Sequence, residues 1–226
     1  AGTSLPDWLS VVDRKVRVRS AAAATVLNDS DPALVALARG VMRHHHDDAW
    51  FHETEPFRVL CLEFAGELRR RWADETGMRR GFVGHVLVGV LLDAVLVERH
   101  PSLLDRYYRA VGEIDPAAIQ AAVDRLARVS SDRVVAIVPR LISEGFLRDY
   151  ADDEKLRLRL NQVMRRVRLP ELPPGLSEWL PQARERVRQQ CDALTAAPRE
   201  FSIAADSAPP RSASPEDGLR EGDRSE

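Results

Sequence analysis

Four proline residues punctuate the chain where helices would begin. Each follows a polar residue, in the pairs Asp31-Pro32, Glu55-Pro56, His100-Pro101 and Asp115-Pro116. Proline is tolerated at the first helical position because the amide hydrogen that it lacks would have no partner there. Apolar residues then recur at spacings of three and four, which is the periodicity of an amphipathic helix. The pattern predicts an all-α protein.

The predicted helices leave little of the chain for other structure. They span residues 5–13, 31–53, 55–74, 79–99, 101–112, 116–129, 131–150, 152–168 and 176–196, with a break near Gly145. The one ambiguous segment is Val-Val-Ala-Ile-Val at 134–138, and Pro139 weakens it as a strand. No internal boundary divides the helices, so we expect a single-domain multi-helix bundle over residues 1–201.

Composition limits the partners and the compartment. Residues 202–226 are acidic and nearly free of large apolar side chains, which predicts a disordered tail. The net charge of −2 gives no sign of a nucleic acid or membrane partner. The longest apolar run, residues 82–97, is shorter than the roughly 20 residues that span a bilayer, so we interpret it as a core helix. Two cysteines without disulfide or metal-site spacing favour reduced thiols and a cytoplasmic protein.

The histidines are unevenly distributed, because all 6 lie between His44 and His100. A helical projection of residues 31–53 places an apolar stripe on Leu34, Leu37, Ala38 and Val41. The ionisable residues on or beside the extension of that stripe are His44, His45, Asp48 and His52. His46 is expected to be exposed, and Asp47 lies on the outer side of the helix. A metal is one way to hold imidazoles and a carboxylate together on one helical face.

A second helix supplies the complement of this half-site. Between residues 82 and 97 the ionisable side chains are His85 and Asp93, on a helix that is apolar all round and therefore predicted to be central. A buried carboxylate needs a partner such as a metal, a histidine or an arginine. The alternative for His85 is a core histidine that donates to Asp93 or to a backbone carbonyl. A structural metal or a buried polar network in a non-catalytic protein also remains open.

Arginine is the residue that would bind a phosphate at such a site. Arg79 and Arg80 are the candidates because they open the helix that carries His85. The runs at 69–71 and 165–168 are interpreted as solvated helix faces. Asp7, near a helix start, would by itself be interpreted as a helix cap. Phosphate-binding loops, the dinucleotide fingerprint, the zinc-protease motif and the hydrolase nucleophile elbow all lack their residues.

With these residues in view, the chain resembles the acyl carrier protein phosphodiesterase family, all-helical hydrolases grouped with the HD-type metal-dependent phosphohydrolases. Ser4-Leu5-Pro6-Asp7-Trp8 is similar to the family's Gly-Asn-Leu-Leu-x-Asp-Phe element. In the segment from Gly40 to Asp48, His44 and Asp48 match the family's His and Asp four residues apart. Arg79-Arg80 and the stretches 141–150 and 164–166 match later motifs. The match covers roughly residues 5–196, and it begins at the family's second element, so the family's N-terminal histidine segment is not part of it.

The sequence also departs from the family pattern. His52 replaces a later Asp, the His-Arg dipeptide has become His44-His45, and the Asp-His pair of the central helix is not reproduced by His85 and Asp93. These changes leave open a phosphohydrolase that acts on a different ester.

The resemblance implies an HD-like fold and a divalent ion, Mn²⁺, Fe²⁺ or Zn²⁺, that assists hydrolysis of a phosphoester. In the family the bond that is cut joins phosphopantetheine to a serine of an acyl carrier protein. The expected metal ligands are His44, His45, Asp48, His52, His85 and Asp93, with Asp7 a further candidate. Asp48 and His85 are the expected catalytic residues, and Arg79 and Arg80 the expected substrate-binding residues.

Overall fold

The computed structural model describes residues 1–196, and within them the protein is all-helical with no strand. The α-helices are α1 (Leu5–Val12), α2 (Ser20–Ala24), α3 (Pro32–Glu53), α4 (Glu55–Arg71), α5 (Arg80–Arg99), α6 (Leu103–Gly112), α7 (Pro116–Leu126), α8 (Ile137–Glu144), α9 (Asp153–Arg166) and α10 (Leu176–Leu194). Two 3-10 helices, Val134–Ala136 and Phe146–Ala151, flank α8. The prediction of an all-α chain is confirmed. The predicted acidic tail and the end of the predicted domain lie outside the described residues.

The helix starts follow from local hydrogen bonding. Asp31 caps α3 by accepting from the amides of Ala33 and Leu34, and Pro32 occupies the first turn. Asp115 and Asp152 cap α7 and α9 in the same way. These caps explain why Asp31-Pro32 and Asp115-Pro116 marked helix starts correctly, whereas after His100-Pro101 the helix α6 begins only at Leu103.

Gly145 ends α8 in the left-handed conformation, with φ of 52°, which a glycine adopts without steric cost. The predicted break is therefore confirmed, and residues 134–138 are helical rather than extended. The helix α2 was not predicted, because five residues are too few to show a helical period.

The buried side chains form two separate cores. The first joins α1, α2, the first half of α3, α7 and α8, and it includes the whole predicted stripe of α3: Leu34, Leu37, Ala38 and Val41. The second joins α4, α5, α9 and α10. Helix α3 begins in the first core, and at its end Phe51 packs against the second. The middle of α3 thus passes between the cores, and this is where its ionisable residues lie.

Helix α5 is the central helix of the second core, as predicted. It packs mainly against α4 and α10, and at Gly84 it approaches α4 so closely that an added Cβ would lie 2.9 Å from the carbonyl oxygen of Cys61. By length and composition α5 could also span a membrane, a test that the core helix of a soluble protein passes too. Its buried residues, among them Val83, Leu87 and Leu91, make it a core helix in this structure.

A second close approach fixes the N-terminal segment on α3. A Cβ built on Gly40 would lie 2.6 Å from the Cα of Gly2, so the two backbones are in direct contact. Because this contact comes one helical turn before His44, it brings the start of α1 beside the histidines of α3. Asp7 is positioned by this crossing rather than by a capping role, since the N-cap position of α1 is Ser4.

Candidate functional site: a histidine and aspartate cleft between α3 and α5

Three ionisable residues of α3, spaced by four, line one side of the candidate site. They are His44, Asp48 and His52. The Nδ1 of His52 lies 3.5 Å from the Oδ1 of Asp48. The Nδ1 of His44 lies 2.9 Å from the carbonyl oxygen of Thr3. A carbonyl only accepts, so this nitrogen carries the proton and Nε2 keeps its lone pair, which is the tautomer of a metal-binding histidine.

His45 has a different role from its neighbour. Its Nε2 lies 2.9 Å from the carbonyl oxygen of Val18, so this ring nitrogen donates to the segment that precedes α2. The bond ties α3 to that segment and commits the Nε2 of the ring. We therefore assign His45 an anchoring role.

Helix α5 lines the opposite side with His85 and Asp93. Both are exposed, although most of α5 is buried. The ring of His85 stacks on that of His52, with centroids 4.6 Å apart, and Phe57 packs edge-on against both. His85 does not pair with Asp93, which lies two helical turns further along α5. The idea of a His85–Asp93 hydrogen bond is therefore wrong.

One carboxylate, that of Asp48, affects the pKa of groups at both ends of the cleft. Burial lowers the pKa of His85, His52 lowers it further, and Asp48 opposes both effects. Asp7 lies with its Oδ2 at 3.8 Å from the Nδ1 of His44. Burial raises the pKa of Asp7; the charges of His44 and His45 act in the opposite direction, and that of Asp48 adds to the rise. Asp48 thus acts on groups at both ends.

Asp93 gives the clearest evidence on whether the site is open to solvent. Burial raises its pKa to about 7, and the charge of Asp7 adds to the effect. Its side chain is nevertheless open to solvent, as is that of Asp7. The surrounding protein therefore desolvates part of each carboxylate while water still reaches it, as in an open site rather than a closed core. The expected burial of Asp93 is wrong, because its side chain is exposed.

A tyrosine and an arginine complete the cleft on the side of Asp93. Burial raises the pKa of Tyr150, with a further contribution from Asp93 and an opposing one from Arg166. Burial also lowers the pKa of Arg166. Within residues 1–196 the guanidinium of Arg166 forms no ion pair, whereas Arg159, on the same face of α9, pairs with Asp149. Arg166 therefore provides a cation beside Tyr150, which in turn lies near Asp93.

The predicted phosphate ligands lie elsewhere. Arg80 donates to the carbonyl oxygens of Trp72, Ala73 and Glu75, at 2.6, 3.1 and 3.2 Å, so it caps the end of α4. All three bonds come from one terminal nitrogen, and the buried Nε has no hydrogen-bond partner among the described residues, so the role of Arg80 in substrate binding stays a prediction. Arg79 is exposed just before α5 begins, and no contact within residues 1–196 joins it to the cleft.

The interpretation of the arginines at 165–168 as a solvated face is confirmed, because Arg165, Arg166 and Arg168 are exposed. Sequence reasoning did not foresee that Arg166 lies beside Tyr150. His100 ends α5 and is exposed, as expected, whereas His46, which was expected to be exposed, is half-buried. Asp47 pairs with Arg43 at 2.6 Å, away from the cleft.

The donor chemistry of the cleft suits a divalent metal, because it combines imidazole with carboxylates whose mutual repulsion a cation would relieve. Among the described residues, no three His, Cys, Asp or Glu side chains are close enough together to hold a metal ion. The groups that could contribute are Asp7, His44, Asp48, His52, His85 and Asp93. They form a chain along the cleft rather than one convergent cluster.

Comparisons with models of protein families, with curated proteins and with solved structures find no match for this chain.

Proposed function

We propose that the protein is a metal-dependent phosphoric ester hydrolase, related to the HD-like acyl carrier protein phosphodiesterases that its motifs resemble. The observation that carries the proposal is the solvent-open cleft in which His44, Asp48 and His52 of α3 face His85 and Asp93 of α5, with Asp7 between the two helices. Sites of this kind should be open to substrate, whereas structural metal sites are closed.

The residues have separable roles in this proposal. Asp7, His44, Asp48 and Asp93 would hold a divalent ion such as Mn²⁺, Fe²⁺ or Zn²⁺. The ion would polarise a phosphoryl oxygen as a Lewis acid and would lower the pKa of a bound water. His85, whose pKa is lowered, is neutral near pH 7 and can accept a proton from an attacking water. Arg166 supplies the charge that a phosphodiester needs and joins Arg79 and Arg80 as a proposed anion ligand.

The substrate belongs to the same proposal. A phosphoester of a carrier protein, cleaved to release phosphopantetheine, is the substrate that the resemblance suggests. A phosphohydrolase that acts on another ester would need the same metal ligands, general base and cation in this cleft. For either substrate we propose a cytoplasmic protein, in which the thiols of Cys61 and Cys191 are free, as they are in this structure.

The test combines metal analysis with hydrolysis of bis(p-nitrophenyl) phosphate. We expect about one divalent ion per chain in the unmodified protein, and Asp48→Ala and His85→Ala should lower kcat/KM by more than about 100-fold. Asp47→Ala and His100→Ala are the matched controls, because each removes the same type of residue outside the cleft. Stoichiometric metal and full activity in both cleft variants would refute the assignment.

A second candidate is a structural protein in which the His and Asp residues form a polar network. The bonds from His44 and His45 to backbone carbonyls favour it, because they tie both rings to the fold. This candidate predicts that the protein binds no metal and that Asp48→Ala lowers only its stability.

A further inference from the structure

Basic side chains gather where the turn after α1 meets the end of α9. The Nη1 of Arg14 donates to the carbonyl oxygen of Arg166, at 3.1 Å, and this bond joins the two segments. Two acids are in contact with these segments: Asp13 accepts from the amide of Lys15, and Glu171 pairs with Arg165 at 3.4 Å. We define the basic patch by its exposed cations, which are Arg14, Lys15, Arg165, Arg166 and Arg168.

The end of a helix does not account for this many cations. A helix C-terminus attracts positive charge because its last carbonyl groups have no amide partner, and Arg14 meets that need. Further cations repel one another: burial lowers the pKa of Arg166, and the charges of Arg140 and Arg159 lower it further. Within residues 1–196 no ion pair neutralises four members of the patch, Arg14, Lys15, Arg166 and Arg168.

Arg168 occupies a backbone conformation that favours glycine. Its φ is 59°, in the left-handed region, where an L side chain is costly. The amide of Arg168 donates to the carbonyl of Arg165, and the next amide donates to the carbonyl of Met164, which is the bonding of a helix end where glycine is the usual residue. The chain uses glycine at the end of α8, where Gly145 is left-handed. The arginine at position 168 thus gives up local stability and adds a cation to the patch.

The chain carries a segment of complementary charge beyond the described residues. Residues 202–226 contain six acids against three arginines, and five of these acids lie within residues 216–226. Helix α10 ends at Leu194, about 15 Å beyond Arg184, which pairs with Asp153 at the start of α9. The patch lies about 20 Å further, at the other end of α9. The chain between Leu194 and Glu216 can span at most about 75 Å, roughly twice this path.

We propose that the acidic segment 202–226 docks on the basic patch of the same chain. Charge complementarity favours this occupant, and attachment to the chain raises its local concentration at the patch, so weak ion pairs suffice. Arg166 lies beside Tyr150, which is near Asp93, so the docked segment would adjoin the candidate site. The contact depends neither on a metal nor on the proposed reaction.

Carbodiimide cross-linking of the full chain tests the proposal, because the chain has two lysines, Lys15 in the patch and Lys155 outside it. The reagent joins a carboxylate to a lysine amine only where the two groups meet. Both lysines are exposed, and Lys155 is at the end of α9 that lies nearer to the end of α10. A segment that does not dock should therefore meet Lys155 at least as often as Lys15. We expect mass spectrometry to find links from residues 202–226 to Lys15 at least about 5-fold more often than to Lys155.

Charge variants that keep both lysines separate docking from chance contact. Arg166→Glu/Arg168→Glu should reduce the links to Lys15 at least about 5-fold, as should 1 M NaCl, which screens charges beyond about 3 Å. The matched control is Arg106→Glu/Arg109→Glu on α6, because both arginines are exposed and have no ion pair in the part of the chain that the structure describes. It should change the links less than about 2-fold.

A milder variant keeps the test valid if the double reversal does not fold. Arg168→Gly removes one cation and suits the left-handed conformation, so it should fold well and lower the links to Lys15 about 2-fold. Circular dichroism melts check that each variant is folded.

Each outcome supports or overturns the docking. Equal linking of the two lysines overturns it, as does linking to Lys15 that survives the charge variants and 1 M NaCl. Links between isotopically labelled and unlabelled copies also overturn it, because a second chain would then be the occupant. If residues 202–226 form no links, the proposal fails and the patch is left for a separate acidic partner. Hydrolysis enters none of these readouts, so failure of the proposed function would leave the docking intact.

Discussion

Replacing Asp93 by asparagine should stabilise the metal-free protein, and more so at high pH. In the folded protein the pKa of Asp93 is about 7, against an ordinary value of 3.8. The folded state therefore holds a proton that the unfolded state releases between these values. Stability falls as the pH rises through this window, and above pH 7 the full cost is present. Asparagine keeps the shape of the side chain and removes the charge.

The magnitude follows from the size of the shift and from the exposure of the side chain. The rise of the pKa of Asp93 from 3.8 to about 7 corresponds to a loss of at most about 4 kcal/mol in the free energy of unfolding. Because water reaches the carboxylate, we expect screening to leave about 1–2 kcal/mol of this. For a domain of this size that is a rise in Tm of roughly 3–6 °C at pH 8. At pH 5 about a third of the effect should remain, since that pH lies low in the window.

The assay is thermal unfolding followed by circular dichroism, with EDTA present, at pH 5 and pH 8. Asp47→Asn is the control, because Asp47 lies next to the site residues but outside the cleft, where its ion pair with Arg43 is half-exposed. We expect the control to change the Tm by less than about 2 °C at either pH. A Tm of Asp93→Asn that is unchanged, or raised equally at both pH values, would show that no enclosed cleft surrounds this carboxylate.

Three further predictions concern the elements that hold the cleft in place. Arg184 is buried and pairs with Asp153, so Arg184→Met should lower the free energy of unfolding by about 2–4 kcal/mol, as measured by urea titration. A loss below about 1 kcal/mol would contradict a buried ion pair. Asp31→Ala should cost about 1 kcal/mol by removing the cap of α3, while Asp31→Asn should cost much less, as circular dichroism melts will show. Gly40→Ala should lower the free energy of unfolding by about 1–3 kcal/mol, because the added methyl group pushes the N-terminal segment away from α3. Gly66→Ala should raise it by about 0.5–1 kcal/mol. Equal effects of the two substitutions would argue against the close approach of Gly40 and Gly2.

Helix positions were predictable because they depend on neighbours in sequence. The cap of Asp31, the proline after it and the apolar spacing all lie within one segment, and α3 begins where they indicate. The breaker role of Gly145 is local in the same sense. The short α2 escaped prediction because five residues hold too few repeats to show a period.

The site was predictable only where a helical face determined it. His44, Asp48 and His52 share a face in sequence and line the cleft together in the structure. Arg80 shows the opposite case, because its contacts are with carbonyl oxygens at the end of another helix, which no periodicity reveals. The contribution of Arg166 depends on how α9 packs against the 3-10 helix 146–151, which is also a tertiary property.

The two cores explain why polar residues on a central helix are open to water. Helix α5 is apolar all round, and a sequence of this kind predicts burial on every side. Burial of its whole surface would require α3 to pack along it, but α3 belongs to the first core for half its length and reaches the second only near Phe51. Helices α3 and α5 therefore meet where the ring of His52 stacks on that of His85, and Asp93, two turns further along α5, is exposed. Because Asp7, Asp48 and Asp93 are exposed, they avoid the free-energy cost of full burial. This is how three carboxylates can lie in one region of a folded protein.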